Sequence, residues 1–139
     1  RFLFLILLQT CLQSKDSVIL STYRNLCMTT VIYYCCMKKT YPAITIKGNI
    51  RLEDYDRVIV GMPVWVEGPC VMGKAFISQY KDRLPQDVYY AVTHMAPSGY
   101  DKKIQAMDKI LGRSTAGYVT MQTKEHDFLK DIEDFAKTL

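Results

Sequence analysis

The chain is short of the residues on which several kinds of chemistry depend. It has two histidines, one tryptophan and five cysteines in 139 residues. Cys11, Cys27, Cys35, Cys36 and Cys70 are an odd set, with no CxxC and no pair-of-pairs spacing, so nothing calls for a zinc site. The adjacent Cys35 and Cys36 offer a dithiol reading, but small apolar residues in a reduced, cytoplasmic protein are the favoured one. Long apolar runs are missing too: Phe2 to Leu8 is seven residues, too short to cross a bilayer, and no small-residue cleavage pattern follows it. Residues 1–16 are therefore expected as an apolar N-terminal extension and 17–139 as a single domain. Acidic residues are scarce at one end only. Residues 1–41 hold five Lys/Arg against one acid, while 42–139 hold thirteen of each, so the net charge of +4 is entirely N-terminal. Without interleaved Arg and aromatic residues or a recognisable motif, that excess does not point to nucleic acid.

What is present is an alternation of strand and helix signals, with 49% hydrophobic residues to build a core. "SVILST" at 17–22, "PAITIKG" at 42–48, "DRVIVGM" at 56–62, "DVYYAVT" at 87–93 and "AGYVTMQ" at 116–122 read as strands. Between them, Val71, Met72, Ala75, Phe76 and Tyr80 recur at helical spacing, predicting a helix over 71–83 with a basic end. "SGYD" at 98–101 has the form of a capping box, and Ile104, Met107, Ile110 and Leu111 make the apolar stripe of the helix behind it, stopping at Gly112. Phe128, Leu129, Ile132, Phe135, Ala136 and Leu139 form the expected buried face of a C-terminal helix, with His126 exposed in its first turn.

Five strands alternating with helices imply an α/β fold with a doubly wound parallel sheet, in the order 2-1-3-4-5. Ligands in such a sheet bind beyond the carboxyl ends of the strands, where strands 1 and 3 meet. The loops of interest then start near Ser21, Met62 and Thr93. One feature fits poorly. Gly48 to Tyr55 leaves eight residues for a parallel crossover that ordinarily takes about a dozen, room for one turn at most around Leu52 to Tyr55.

"LEDYDRVIVGMPVWVEGPCVMGKAFISQYKDRL" resembles the central block of flavodoxin-family proteins: an acidic Tyr-Asp lead-in, a hydrophobic strand, Gly-Ser/Thr-Pro-hydrophobic-Trp, and a helix with a basic end. "YYAVTHMAPSGYDKKI" is similar to the next family strand and its loop, so the resemblance covers roughly residues 50–139. It implies a flavodoxin-like five-stranded domain that binds FMN non-covalently and moves electrons, as a carrier or as an NAD(P)H-dependent reductase. A redox partner protein or NAD(P)H would then be the partner, with no nucleic acid and no membrane span. The resemblance also implies that Pro63, Val64 and Trp65 lie against one side of the isoalloxazine ring, and Thr93, His94, Gly99 and Tyr100 against the other. For Trp65 the alternative is packing under the 71–83 helix; for Tyr100, a surface position; for His94, a structural hydrogen bond. No acid, base or nucleophile is needed, because the hydride and electron chemistry belongs to the flavin.

The first loop departs from the family pattern. A flavodoxin phosphate site usually reads Ser/Thr-x-Thr-Gly-Asn-Thr, and here the corresponding stretch is "STYRNLCMTT", residues 21–30. Ser21, Thr22 and Asn25 offer polar groups and Arg24 a direct phosphate ligand, but the central glycine is missing, which hinders close approach of backbone to an anion. "VIYYCCMKK" behind it is poor in helix formers. Two explanations stand side by side: a divergent member with a reworked phosphate site, or a first 40 or so residues that are not the natural coding sequence. A different class of function also stays open, a flavodoxin-like module that has lost FMN and serves as a scaffold.

Overall fold

The computed structural model describes residues 2–6, 41, 43, 44, 46, 50–65, 68–95, 100–122 and 128–139; of 2–6, 65, 128 and 129 it describes the backbone alone. Strands β1 (Phe2–Ile6), β2 (Arg57–Trp65), β4 (Asp87–His94) and β5 (Gly117–Gln122) lie side by side in the order β1-β2-β4-β5, all parallel. A two-residue arm, β3 (Gly68–Pro69), folds back antiparallel on the end of β2. Helices α1 (Val71–Tyr80), α2 (Asp101–Leu111) and α3 (Phe128–Thr138) follow β3, β4 and β5.

The two central strands read as near-continuous apolar runs because both faces of a parallel sheet are covered. Val58, Val60, Met62, Val88, Tyr90 and Val92 point to one face, where Phe76 and Ile77 of α1 and Ile104, Met107 and Leu111 of α2 close the main core. Ile59, Tyr89, Ala91 and Val119 point to the other, against Phe135 of α3 and Leu139 just beyond it, with the Tyr89 and Phe135 rings edge to face at 5.9 Å. The helix ends follow local chemistry. Cys70 caps α1, its Sγ accepting the Gly73 N–H at 3.3 Å, and α2 ends at Gly112 with φ 81°, the left-handed turn that glycine adopts without strain. The start of β5 is latched to β4 by Thr115, whose hydroxyl donates to the Val88 carbonyl at 2.6 Å while its N–H donates to Asp108 at 3.1 Å.

Several expectations change. The first strand beside β2 is Phe2–Ile6, so this apolar segment belongs to the sheet instead of standing apart from it. Five consecutive apolar residues suit a strand within a covered parallel sheet as well as they suit an extension. The strand expected at 17–22 lies outside the described residues. At 42–48 the described residues Ala43, Ile44 and Ile46 form no strand. Ile44 is 1% exposed, yet its peptide groups are taken by side chains: its N–H donates to Gln79 Oε1 at 2.9 Å, and its carbonyl accepts from Gln79 Nε2 and the Tyr80 hydroxyl. No described residue forms a strand on the far side of β1, so the expected five-stranded order 2-1-3-4-5 is not seen among the described residues, whose parallel strands run β1-β2-β4-β5. The short crossover does hold a single turn, Leu52–Asp54.

Element ends shift as well. β2 runs three residues beyond Met62, through Pro63 to Trp65, and α1 gives way to a turn after Tyr80 rather than continuing to residue 83. Tyr100, not Ser98, stands at the N-terminal boundary of α2. The Asp101 carboxylate accepts the Tyr118 hydroxyl, and Ser98, the expected capping residue, lies outside the described residues. On α3 the expected buried face is only half covered: Phe135 and Leu139 are half-buried, Ala136 is exposed and Ile132 is 39% exposed.

Candidate functional site

The carboxyl ends of β2 and β4 meet at the Pro63–Thr93 register pair. Proline has no N–H to give a ladder and is unusual in a central strand. Here it sits where β2 leaves the parallel sheet and its pairing changes partner: the Pro63 carbonyl accepts the Cys70 N–H at 3.0 Å, and Val64 and Trp65 pair with Pro69 and Gly68. The backbone of Trp65 therefore belongs to a short hairpin, projecting past Thr93 on the neighbouring strand. Pro63 and Val64 are half-buried.

His94 ends β4, and 7% of its surface is exposed. Its ring stacks on Tyr100, centroids 4.0 Å apart with 28° between the planes, and Tyr100 is also 7% exposed. The Lys103 ammonium, one turn along α2, lies 4.7 Å from the Tyr100 centroid, a cation–π distance. The chain leaving β4 is held from the other side by Gln122, the register partner of His94, whose amide donates to the Met95 carbonyl at 3.4 Å. Met95 itself is 69% exposed. A second cation, Lys74 of α1, brings its Nζ within 3.4 Å of where a side chain at Gly68 would begin.

This end of the sheet is thus aromatic, partly apolar and positively charged. Among its described residues no activated nucleophile is evident. Burial pushes the Cys70 thiol up to about 11, so it stays protonated at neutral pH and acts as a cap. Among the described residues no cluster of three His, Cys, Asp or Glu side chains is placed to hold a metal ion.

Of the residues expected at the site, Pro63 and Thr93 are brought side by side, Val64 and the Trp65 backbone continue the same strand end, and His94 and Tyr100 are in ring contact. Ser21, Thr22, Arg24, Asn25 and Gly99 lie outside the described residues. Lys74 and Lys103 were not expected. The signal for Lys103 is its position three residues after Tyr100 on a helix, the spacing at which side chains meet; Lys74 has no comparable signal, because its neighbour Gly68 reaches it only through the hairpin.

No protein-family model matches the chain, and no curated relative does either. Two solved structures share its fold. The crystal structure of a flavoprotein in complex with FMN from Lactobacillus acidophilus NCFM superposes with a TM-score of 0.64 at 16% identity, covering 88% of this chain and 83% of that one. The NMR structure of the apo form of the flavoprotein from the same organism gives 0.63 at 18% identity, covering 92% of this chain and 96% of that one. At such identity the likeness establishes the fold, an α/β arrangement shared with these flavoproteins.

Proposed function

We propose that the protein binds FMN at the carboxyl ends of β2 and β4 and works as a flavodoxin-like flavoprotein, in electron transfer or NAD(P)H-linked reduction. The observation that carries this reading is the juxtaposition of the β2 end (Pro63, Val64, Trp65) with Thr93 and the His94–Tyr100 ring pair, in a fold shared with a flavoprotein crystallised with FMN. The residues fit the group. Isoalloxazine is flat and partly apolar, and it is held by aromatic and aliphatic surfaces with a few polar contacts. Bound FMN supplies the hydride and electron chemistry.

The chain's own tasks are to bind, orient and shield. Pro63 and Val64 present half-buried, largely apolar surface on one side, and the Thr93 hydroxyl is the nearest side-chain polar group on the neighbouring strand. The His94–Tyr100 pair forms the opposite wall, and Gly99 immediately before Tyr100 leaves the loop free of a side chain there. Lys103 and Lys74 add positive potential that favours an anionic ligand. For the phosphate end, the reading assigns Ser21, Thr22, Arg24 and Asn25. Since β1 ends at Ile6, the hydroxyls that follow it most closely in the sequence are Thr10 and Ser14, which are the competing assignment. The electron source would be NAD(P)H or a redox partner protein, in a reduced compartment such as the cytoplasm.

One observation favours a module without flavin: His94 and Tyr100 fill each other's faces and are both nearly fully buried. Equilibrium FMN binding to the wild type and to Tyr100→Ala separates the two readings. A flavoprotein loses roughly fivefold in affinity with that ring, as expected for about 1 kcal/mol of aromatic contact. A module without flavin shows no binding in either protein and a change in stability alone.

A further inference from the structure

Strand β5 stands at one end of the sheet order. Among the described residues no strand pairs with its outer edge. Exposed edges are ordinarily blunted by charge, proline or a bulge, because their free N–H and C=O groups invite another strand. The six residues of β5, Gly117 to Gln122, contain neither charge nor proline. Beside that edge runs a groove of about 590 Å³ between β5 and α3, lined by residues 116–120 on one side and by Asp131, Asp134, Phe135 and Thr138 on the other. Tyr118 on the strand is 40% exposed, and its hydroxyl rests on a third carboxylate, Asp101.

We propose that this edge is a docking site for an extended, basic segment of a partner protein, added to the sheet as a further strand alongside β5. Main-chain hydrogen bonds to the free edge supply the attachment, and alternate side chains supply the selectivity. Lysine or arginine side chains on one face of the added strand meet Asp131 and Asp134. Asp134 already has an ion pair with Lys137 at 2.7 Å, whereas Asp131 has no such partner among the described residues. Aliphatic side chains on the other face lie over the exposed ring of Tyr118. A second copy of this chain is a poorer occupant. Pairing β5 with its own image across a twofold axis would set Asp131 and Asp134 against like charges, and β5 brings no cation of its own to relieve them. The docked segment would run along β5 to Gln122, the register partner of His94, and so end beside the aromatic pair at the other end of the strand.

The test uses the isotopically labelled full chain and a blocked synthetic peptide alternating lysine and valine, with the glutamate-for-lysine peptide as control. The expected result is saturable amide shifts confined to Ala116–Gln122 and α3 with the lysine peptide only. N-methylating alternate residues of that peptide should abolish the shifts. The Asp131→Lys/Asp134→Lys double variant, folded by circular dichroism, should bind about tenfold more weakly, as loss of two exposed ion pairs predicts. Equal binding of both peptides, undiminished binding by the double variant, absence of saturable shifts, or peptide-free self-association through β5 would each overturn the proposal.

Discussion

The Ile44 clamp gives the sharpest quantitative test of how the chain before β2 is held. Gln79 makes two hydrogen bonds to the backbone of Ile44, donating to its carbonyl at 2.6 Å and accepting from its N–H at 2.9 Å, and the Tyr80 hydroxyl donates to the same carbonyl at 2.9 Å. Gln79→Leu keeps side-chain length and helix propensity but removes both of its bonds. The Ile44 N–H is then left unpaired while the carbonyl keeps Tyr80, so the expected loss is about 2 kcal/mol: two net hydrogen bonds of roughly 1 kcal/mol each. Tyr80→Phe preserves the ring packing on Phe76, 5.2 Å between centroids, and deletes only a bond whose acceptor is still served by Gln79. Its expected cost is about 0.5 kcal/mol. The double variant strips the carbonyl of both donors, so it should cost about 1 kcal/mol more than the sum of the singles. Urea unfolding measures all three; the first variant should lower the midpoint by about 1 M. A Gln79→Leu protein as stable as the wild type, or strict additivity in the double variant, would refute the clamp.

Two further predictions concern buried and exposed groups. Tyr90 is fully buried and its hydroxyl finds no hydrogen-bond partner among the described residues; Tyr90→Phe should therefore stabilise the protein by about 1 kcal/mol in thermal or urea unfolding, since an unpaired buried polar group costs about that or more. A clear destabilisation would mean that the hydroxyl is hydrogen-bonded in solution. Glu53 is held down to about 2, chiefly by its hydrogen bond from Arg83 at 2.6 Å. Its folded value lies below its ordinary one, so its contribution is present above about pH 4.5 and lost as the pH falls toward 2. The stability difference between wild type and Glu53→Gln should be flat above that window and close within it, and a difference that persists at pH 2 would contradict the assignment.

Much of the fold is legible in the sequence wherever a period is strong. The stripe Ile104, Met107, Leu111 is buried as its spacing requires, and the run Asp87–His94 is a strand with both faces covered. The stretch Gly48 to Tyr55 is short for an ordinary crossover, and the structure has one turn there, with no strand at the described residues 41, 43, 44, 46 and 50 ahead of it. What escapes a period is the source of a backbone's hydrogen bonds. Ile44 and Ile46 look like a strand by composition, yet Ile44 is satisfied by a glutamine and a tyrosine some 35 residues away. Pro63 reads as a strand breaker, but β2 continues through it because its partner on one side changes to the arm at Gly68–Pro69. The C-terminal stripe is amphipathic in sequence, but how much of it is covered depends on what packs beside α3, which spacing cannot reveal. For the candidate site, two of the loop starts picked out in the sequence, near Met62 and Thr93, lie at neighbouring strand ends, with Pro63 beside Thr93. That choice does not foresee that His94 and Tyr100 stack on each other, since that contact depends on the path of the loop between them.

The central claim is that the β2 and β4 strand ends form a flavin site with Trp65 on one side. Titrating FMN into the purified protein while following indole and flavin fluorescence together tests it most directly. The account predicts saturable mutual quenching with a dissociation constant of about a micromolar or tighter. An unquenched indole and unbound flavin, in a protein shown to be folded, would contradict it.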